Sequence, residues 1–265
     1  MDSSSFFPKK RIAARFGRAV DSYETGANVQ MAIAKRISLR MKGEIRENQL
    51  WCDLGSGSGM LLEYLGPTPS ETRFVCLDLS FAPLRRALQA RRTVLAVNGD
   101  IDFLPIRPEA FDGGVISSVL QWVESPEAAL RGIAQMLKPA TQLHFSVFVD
   151  GSFTELIEIR ARMGLSAGVW LPSVSELLTT FDKAGLDVST EDIEYYDEKQ
   201  NFKDALSALG SLSDIGVTAT GGRLLNRTEL DKLCRDYTLT FMKNGKIPLT
   251  YRAVIGTARK NTMES

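Results

Sequence analysis

The sequence predicts an α/β fold in which a mostly parallel sheet is covered by helices on both faces. Three observations predict it. Apolar runs of strand length alternate with helical runs from about residue 50 to residue 150. The strand runs are apolar almost throughout, as strands buried on both faces must be. The first of them, "QLWCDL", leads through the glycine turn "GSGSG" straight into a helical run, "GMLLEYL".

The elements follow in order. Residues 28–42 set Val29, Ile33, Ile37 and Met41 at helical spacing, giving one apolar stripe. After "GMLLEYL" comes the strand "RFVCLDL", then the helix "APLRRALQARR", then the strands "TVLAVNGD" and "FDGGVISSVL". Ser125-Pro126-Glu127 starts a helix, with Ser as N-cap and Pro in the first turn. That helix buries Ala129, Leu130, Ile133, Ala134 and Leu137, and Pro139 stops it. "QLHFSVFV" closes the alternating series. Beyond Asp150, Ser173 with Glu176 forms a capping-box pattern ahead of Leu177, Leu178 and Phe181, and Gly185 ends that helix. "LDVSTEDIEYYD" reads as one strand, "FKDALSALGSLSDIG" and "RTELDKLCRDYTLTFM" as helices, and "IPLTYRAVIGTARK" as the last strand. The late helices are thus an insertion between two final strands, a cover for a site. The reading is one domain, 1–265, comprising an N-terminal helical segment (1–45), a binding core (46–150), an acceptor-side strand with helical cover (151–245) and a final strand (246–265).

Composition narrows the function classes. Lys plus Arg and Asp plus Glu both total 32, so the net charge is zero, which argues against a dedicated nucleic-acid binder. Cys52, Cys76 and Cys234 show no paired or C-x-x-C spacing, which fits a reducing cytoplasm. No secretory leader opens the sequence, and no apolar run approaches a membrane span. A cytoplasmic protein with no membrane partner is expected.

The glycine turn carries the chemistry. It lacks the Gly-Lys-Ser/Thr ending of a phosphate-binding loop, and the dinucleotide spacing fails at Met60. Its pattern is Asp53, Gly55, Gly57, Gly59, with an acid at the strand end. A carboxylate there repels a pyrophosphate but suits a ligand bearing an ammonium or a sulfonium. Asp78 ends the second strand, where open sheets place an acid on ribose hydroxyls. Asp100 ends the third, placed to accept from an adenine amino group, with Ile101 against the ring. Three acids at three successive strand ends point to S-adenosylmethionine, which is cationic, carries an adenosine and has no phosphate.

With these motifs the chain resembles the class I S-adenosylmethionine-dependent methyltransferases, which share a Rossmann-like, mostly parallel seven-stranded sheet. More narrowly it resembles the malonyl-acyl-carrier-protein O-methyltransferases of biotin synthesis. "FGRAVDSYETGANVQ", "CDLGSGSG", "CLDLS", "NGDIDFLP" and "FDGGVISSVLQW" follow in family order, and "ALSALGSLSDIGVTATGGR", "LNRTEL" and "IPLTYRAVIGTA" carry the likeness through the distal part. "SDIGV" and "LGSGSG" depart from the commoner family forms. The resemblance implies methylation of the free carboxyl of a malonyl thioester, on acyl carrier protein or coenzyme A, leaving S-adenosylhomocysteine. Cofactor contacts would then fall on Asp53, Gly55, Gly57, Asp78, Leu79, Asp100, Ile101 and Ser117 or Ser118. Tyr23 and Gln30, in the family-like N-terminal segment, would reach the cofactor's carboxylate.

A carboxylate acceptor is already ionised near neutral pH and needs no general base. The only histidine, His144, lies inside an apolar strand and reads as a core residue. Alignment and removal of water are what the protein must supply. Arg223, in "TGGRLL", is the candidate to orient the acceptor carboxylate, and Gln121 and Trp122, just past the fourth strand, lie where an acceptor approaches. Lys9, Lys10, Arg11, Arg15 and Arg18, or Arg85, Arg86, Arg91 and Arg92, are candidate contacts for an acidic carrier protein. Methylation of another small carboxylate or of a quinone precursor is the alternative enzyme reading. A non-catalytic cofactor-binding module is the alternative of another class.

Overall fold

The computed structural model describes residues 28–90, 93–165, 169–214 and 225–261. Helix α1 (Asn28–Lys42) precedes five strands and three helices: β1 (Leu50–Leu54), α2 (Met60–Leu65), β2 (Arg73–Asp78), α3 (Phe81–Ala90), β3 (Val94–Asn98), β4 (Gly113–Ser117), α4 (Pro126–Met136) and β5 (Gln142–Phe148). The acceptor-side part adds α5 (Thr154–Arg162), α6 (Val174–Lys183), β6 (Leu186–Val188), β7 (Glu194–Phe202), α7 (Ala205–Asp214), α8 (Arg227–Phe241) and β8 (Ile247–Lys260).

All pairings among β1 to β5 are parallel, in the order β3-β2-β1-β4-β5, and β8 adds antiparallel to β5. The chain winds outward from β1 to β3, then crosses back to β4 on the other side of β1. The β1/β4 boundary is therefore the topological switch point, where the turns after neighbouring strands diverge and leave a crevice. Apolar faces of α1, α2 and α3 cover one side of the sheet, and α4 and α6 cover the other. Ser125 caps α4 by accepting from the Ala128 amide, with Pro126 in the first turn, and Ser173 and Glu176 form a reciprocal capping box on α6. Asn226 with Glu229 does the same for α8.

The sheet has eight strands, where the sequence reading counts seven. The last position across is shared by two. β6 pairs with Ala258 to Lys260 of β8 and β7 with Ile247 to Ile255, so the two lie end to end along one edge. The expected single strand "LDVSTEDIEYYD" is broken by a 3₁₀ turn at Thr190–Asp192. The next helix begins at Ala205, later than the apolar pattern suggests, because Asp204 accepts from the Ser207 amide and starts it there. The late helices α7 and α8 lie between β7 and β8 in the chain, the insertion the sequence predicts. Among the described residues no helix is long and apolar enough to cross a membrane.

Candidate functional site

A cleft opens at the carboxyl ends of β1, β2 and β4, beside the switch point. The glycine turn forms its floor. Gly55 and Ser56 both donate to the Leu77 carbonyl, at 2.7 and 3.1 Å, which ties the turn to the neighbouring strand. Gly55 has φ +71°, and a Cβ there would come within 2.3 Å of Val119 Cγ2, the residue crossing over from β4. Only glycine satisfies both the left-handed backbone and that close approach. Gly59 lets α2 start against Ala87 of α3, where a Cβ would meet the Ala87 Cβ at 2.9 Å.

Asp53 ends β1's approach to the turn and is 3% exposed. Its Oδ2 has no hydrogen-bond partner. Burial pushes its carboxyl up to about 7, and the nearby Asp78 adds to the push. Asp78 is held differently: Oδ2 accepts from the Gly57 amide at 2.9 Å and Oδ1 from the Ser80 amide at 2.8 Å. Burial raises its affinity for a proton, and these two amides oppose the rise. The amides fix the carboxylate's plane, and each oxygen keeps a lone pair for a further donor. Asp100 Oδ1 accepts from the Asp102 amide at 3.0 Å, capping the 3₁₀ turn Ile101–Phe103.

The far wall comes from the end of β4. Ser118, at φ +56°, is held by Ser146 of β5, whose hydroxyl accepts from the Ser118 amide and meets the Ser117 hydroxyl, both at 3.0 Å. Gln121 is 2% exposed; its Nε2 donates to the Ser118 carbonyl at 2.8 Å, leaving Oε1 without a partner. Trp122 sits 8% exposed, belonging to the apolar core and lining the cleft as well. From α1, Gln30 reaches the same space with Nε2 unpartnered.

The cleft thus brings together twelve of the fourteen expected site residues. They are Gln30, Asp53, Gly55, Gly57, Asp78 and Leu79, with Asp100, Ile101, Ser117, Ser118, Gln121 and Trp122. Tyr23 and Arg223 lie outside the described residues, as do the expected carrier-contact groups Lys9, Lys10, Arg11, Arg15, Arg18, Arg91 and Arg92. Lining residues not anticipated include Ser56, Val119 and Phe148. Phe148 ends β5, so the strand-end rule that found the three acids would have found it too. Val119 carries no polar signal and becomes visible only through its contact with Gly55.

Of the six buried side-chain atoms without a partner among the described residues, four line this one cleft: Gln30 Nε2, Asp53 Oδ2, Ser56 Oγ and Gln121 Oε1. Buried polar groups are otherwise paired, because each unpaired one costs about 1–3 kcal/mol. Their clustering marks a place for a polar ligand. A donor, two acceptors of which one is a carboxylate oxygen, and a hydroxyl that can act either way match a zwitterion better than a polyphosphate, which Asp53 and Asp78 would repel. His144 is not among the lining residues. It is buried on β5, stacked on Trp51 at 6.0 Å with Nδ1 3.1 Å from Thr257 Oγ1. Burial, helped by the Arg40 cation, holds its imidazole down near 4, so it is neutral and remote from any chemistry in the cleft.

Comparison with known proteins adds an independent line. A family model described as a methyltransferase domain matches residues 52–145, from β1 to within β5. Malonyl-[acyl-carrier protein] O-methyltransferase of Erwinia pyrifoliae is 30% identical over 229 residues, covering 85% of this chain and 84% of its own. The protein of the same name from Hamiltonella defensa is 26% identical over 268 residues, covering 97% and 98%. Among solved structures, geranyl diphosphate C-methyltransferase of Streptomyces coelicolor, in complex with S-adenosyl-L-homocysteine, superposes with a TM-score of 0.51 at 14% identity. It covers 85% of this chain and 78% of that one, and shows a shared fold.

Proposed function

The chain belongs to the malonyl-[acyl-carrier protein] O-methyltransferase family, and from that premise we propose how its cleft serves methyl transfer from S-adenosylmethionine to the free carboxyl of a malonyl group on acyl carrier protein. The methyl ester masks the malonyl charge at the start of the pimeloyl moiety of biotin. The observation that carries the reading is the set of unpartnered polar atoms gathered in one cleft.

The residues present fit the donor. Asp53 Oδ2 and Gln121 Oε1 accept from its ammonium, and Gln30 Nε2 donates to its carboxylate, with Tyr23 the further candidate there. Gln121 moves from the acceptor's side to the donor's, because its spare atom is an oxygen that would repel a malonyl carboxylate. Asp78, held by two backbone amides, presents its remaining lone pairs to ribose hydroxyls, and Leu79 packs beside it. Asp100 accepts from the adenine amino group while Ile101 covers the ring, and Ser117 and Ser118 close the wall opposite.

Bound S-adenosylmethionine supplies an electrophilic methyl on a sulfonium centre. The protein supplies alignment and dryness. Trp122 and Phe148 give the acceptor side an apolar wall that strips water from the incoming carboxylate. No group has to take a proton from the acceptor, since a carboxyl is ionised above about pH 5. Arg223 is the proposed partner of that carboxylate, and malonyl-coenzyme A the alternative carrier. A panel of carrier proteins loaded with malonyl, succinyl and acetyl groups tests the reading. Methyl transfer to the malonyl form, with none to the acetyl form, is expected; equal transfer to acetyl or none to malonyl would overturn it. Arg223→Ala is expected to raise the acceptor KM with donor affinity unchanged.

A further inference from the structure

A second cleft lies between α5, β7 and the start of β8, lined by Lys199, Lys243 and Lys246 together with Phe241, Glu155 and Glu158. Its acids are already engaged. Glu155, 5% exposed, accepts from the Thr250 amide at 2.9 Å and the Thr250 hydroxyl at 2.6 Å, with Lys199 at 3.5 Å. Glu158 is paired with Arg162. By contrast, Lys243 and Lys246 are exposed and take part in no ion pair among the described residues.

Their placement is rigid. Each donates its amide to the other's carbonyl, at 2.9 and 3.0 Å, across a two-residue turn of Asn244 (φ +52°) and Gly245 (φ +71°). Both central residues are left-handed, as the tight hairpin turn favoured by Asn-Gly requires. Two ammonium groups therefore ride on a fixed base at the cleft's rim. Met242, next to Lys243 in the chain, is 41% exposed.

Buried aromatic rings connect the layer beneath this cleft with the end of β5 at the donor cleft. Phe148, which lines the donor cleft, packs on Phe153 at 5.4 Å, and Phe153 packs edge-on against Tyr251 at 5.4 Å. Phe153 directly precedes α5, which carries Glu155, and Tyr251 follows Thr250, which holds it. The other described basic candidates, Arg85 and Arg86, sit on α3, which begins beside Asp78 at the opposite, ribose end. We propose that the lysine-rimmed cleft is the docking surface for the malonyl-bearing carrier protein. Its acidic face meets Lys199, Lys243 and Lys246, and the thioester arm reaches from that rim to the acceptor side of the donor cleft. This rests on the acceptor reading above.

The test compares the wild-type chain with the Lys243→Glu/Lys246→Glu double variant on two acceptors, malonyl-carrier protein and malonyl-N-acetylcysteamine, which has neither protein nor phosphate. The variant's KM for malonyl-carrier protein is expected to rise about tenfold or more at low salt, and less at high salt. Its kinetics with the small thioester and its S-adenosylhomocysteine affinity are expected to stay as in wild type. An unchanged KM for the carrier protein, in a variant whose wild-type parent turns that substrate over, would overturn the docking surface and leave the reaction standing. A parallel loss on both acceptors would also overturn it. A wild-type enzyme that turns over the small thioester but not the carrier-bound one would overturn both the surface and the carrier as acceptor.

Discussion

Lowering the pH from about 7.5 to about 6 will weaken binding of S-adenosylmethionine about eightfold, through Asp53. The perturbation follows from burial. The Asp53 carboxyl is lifted from an ordinary 3.8 to about 7 by burial and by its neighbour Asp78. A cation seated against Oδ2 requires the ionised form, so apparent Kd scales as one plus the ratio of protonated to ionised Asp53. That factor is about 11 at pH 6 and about 1.3 at pH 7.5, a ratio worth about 1.2 kcal/mol. The ligand's own α-amino group titrates near pH 8, above the window. Titration calorimetry in two buffers of different ionisation enthalpy reads both the affinity and the proton released, expected at about half a proton at pH 7. Asp53→Asn should bind more weakly and show no pH dependence over this range. A wild-type Kd that is the same at both pH values, with no proton release, would refute the assignment of Asp53 to the donor's cation.

The same shift has a stability sign. The free folded chain holds the Asp53 proton more firmly than the unfolded one, so this contribution is full below about pH 4 and is lost as pH rises through about 7. At pH 8, Asp53→Asn should therefore stabilise the ligand-free protein by about 1–3 kcal/mol after the cost of an unpaired amide is deducted, read as a higher melting temperature. Asp78→Ala removes the acceptor for the Gly57 and Ser80 amides as well as the proposed ribose contact. Donor Kd should rise by about thirtyfold or more while the fold persists, as calorimetry and circular dichroism would show. Gly55→Ala should cost about 1–3 kcal/mol from its left-handed backbone, with a further clash against Val119 that Val119→Ala partly relieves, measurable by urea denaturation. Asn226→Ala deletes the capping box of α8 and should cost about 1 kcal/mol with donor affinity untouched, since Asn226 lies outside the cleft.

Much of the binding half was legible because local signals agree there. Asp53, Asp78 and Asp100 each close an apolar run, and the glycines between them mark where the chain must turn. Ser125-Pro126 and Ser173 with Glu176 state their helix starts outright. The acceptor half was harder for physical reasons. β7, "EYYDEKQNF", is a charged edge strand whose alternating burial is masked by polar side chains on both faces. β6 is only three residues long, too short for a period to show. The start of α7 is set by Asp204, whose capping signal is masked by the apolar residues around it. In the site, Gln30 and Gln121 are far apart in sequence, and nothing local says that their spare atoms face one space. The Lys243–Lys246 turn carries a plain Asn-Gly signal, but nothing local says that its lysines share a cleft with Lys199 of β7.

The most direct measurement is mass spectrometry of the prosthetic arm after the enzyme is incubated with malonyl-carrier protein and S-adenosylmethionine. One added methyl on the malonyl carboxyl is expected. A donor that binds while the arm stays unmodified, or a methyl found on any other atom, would contradict it.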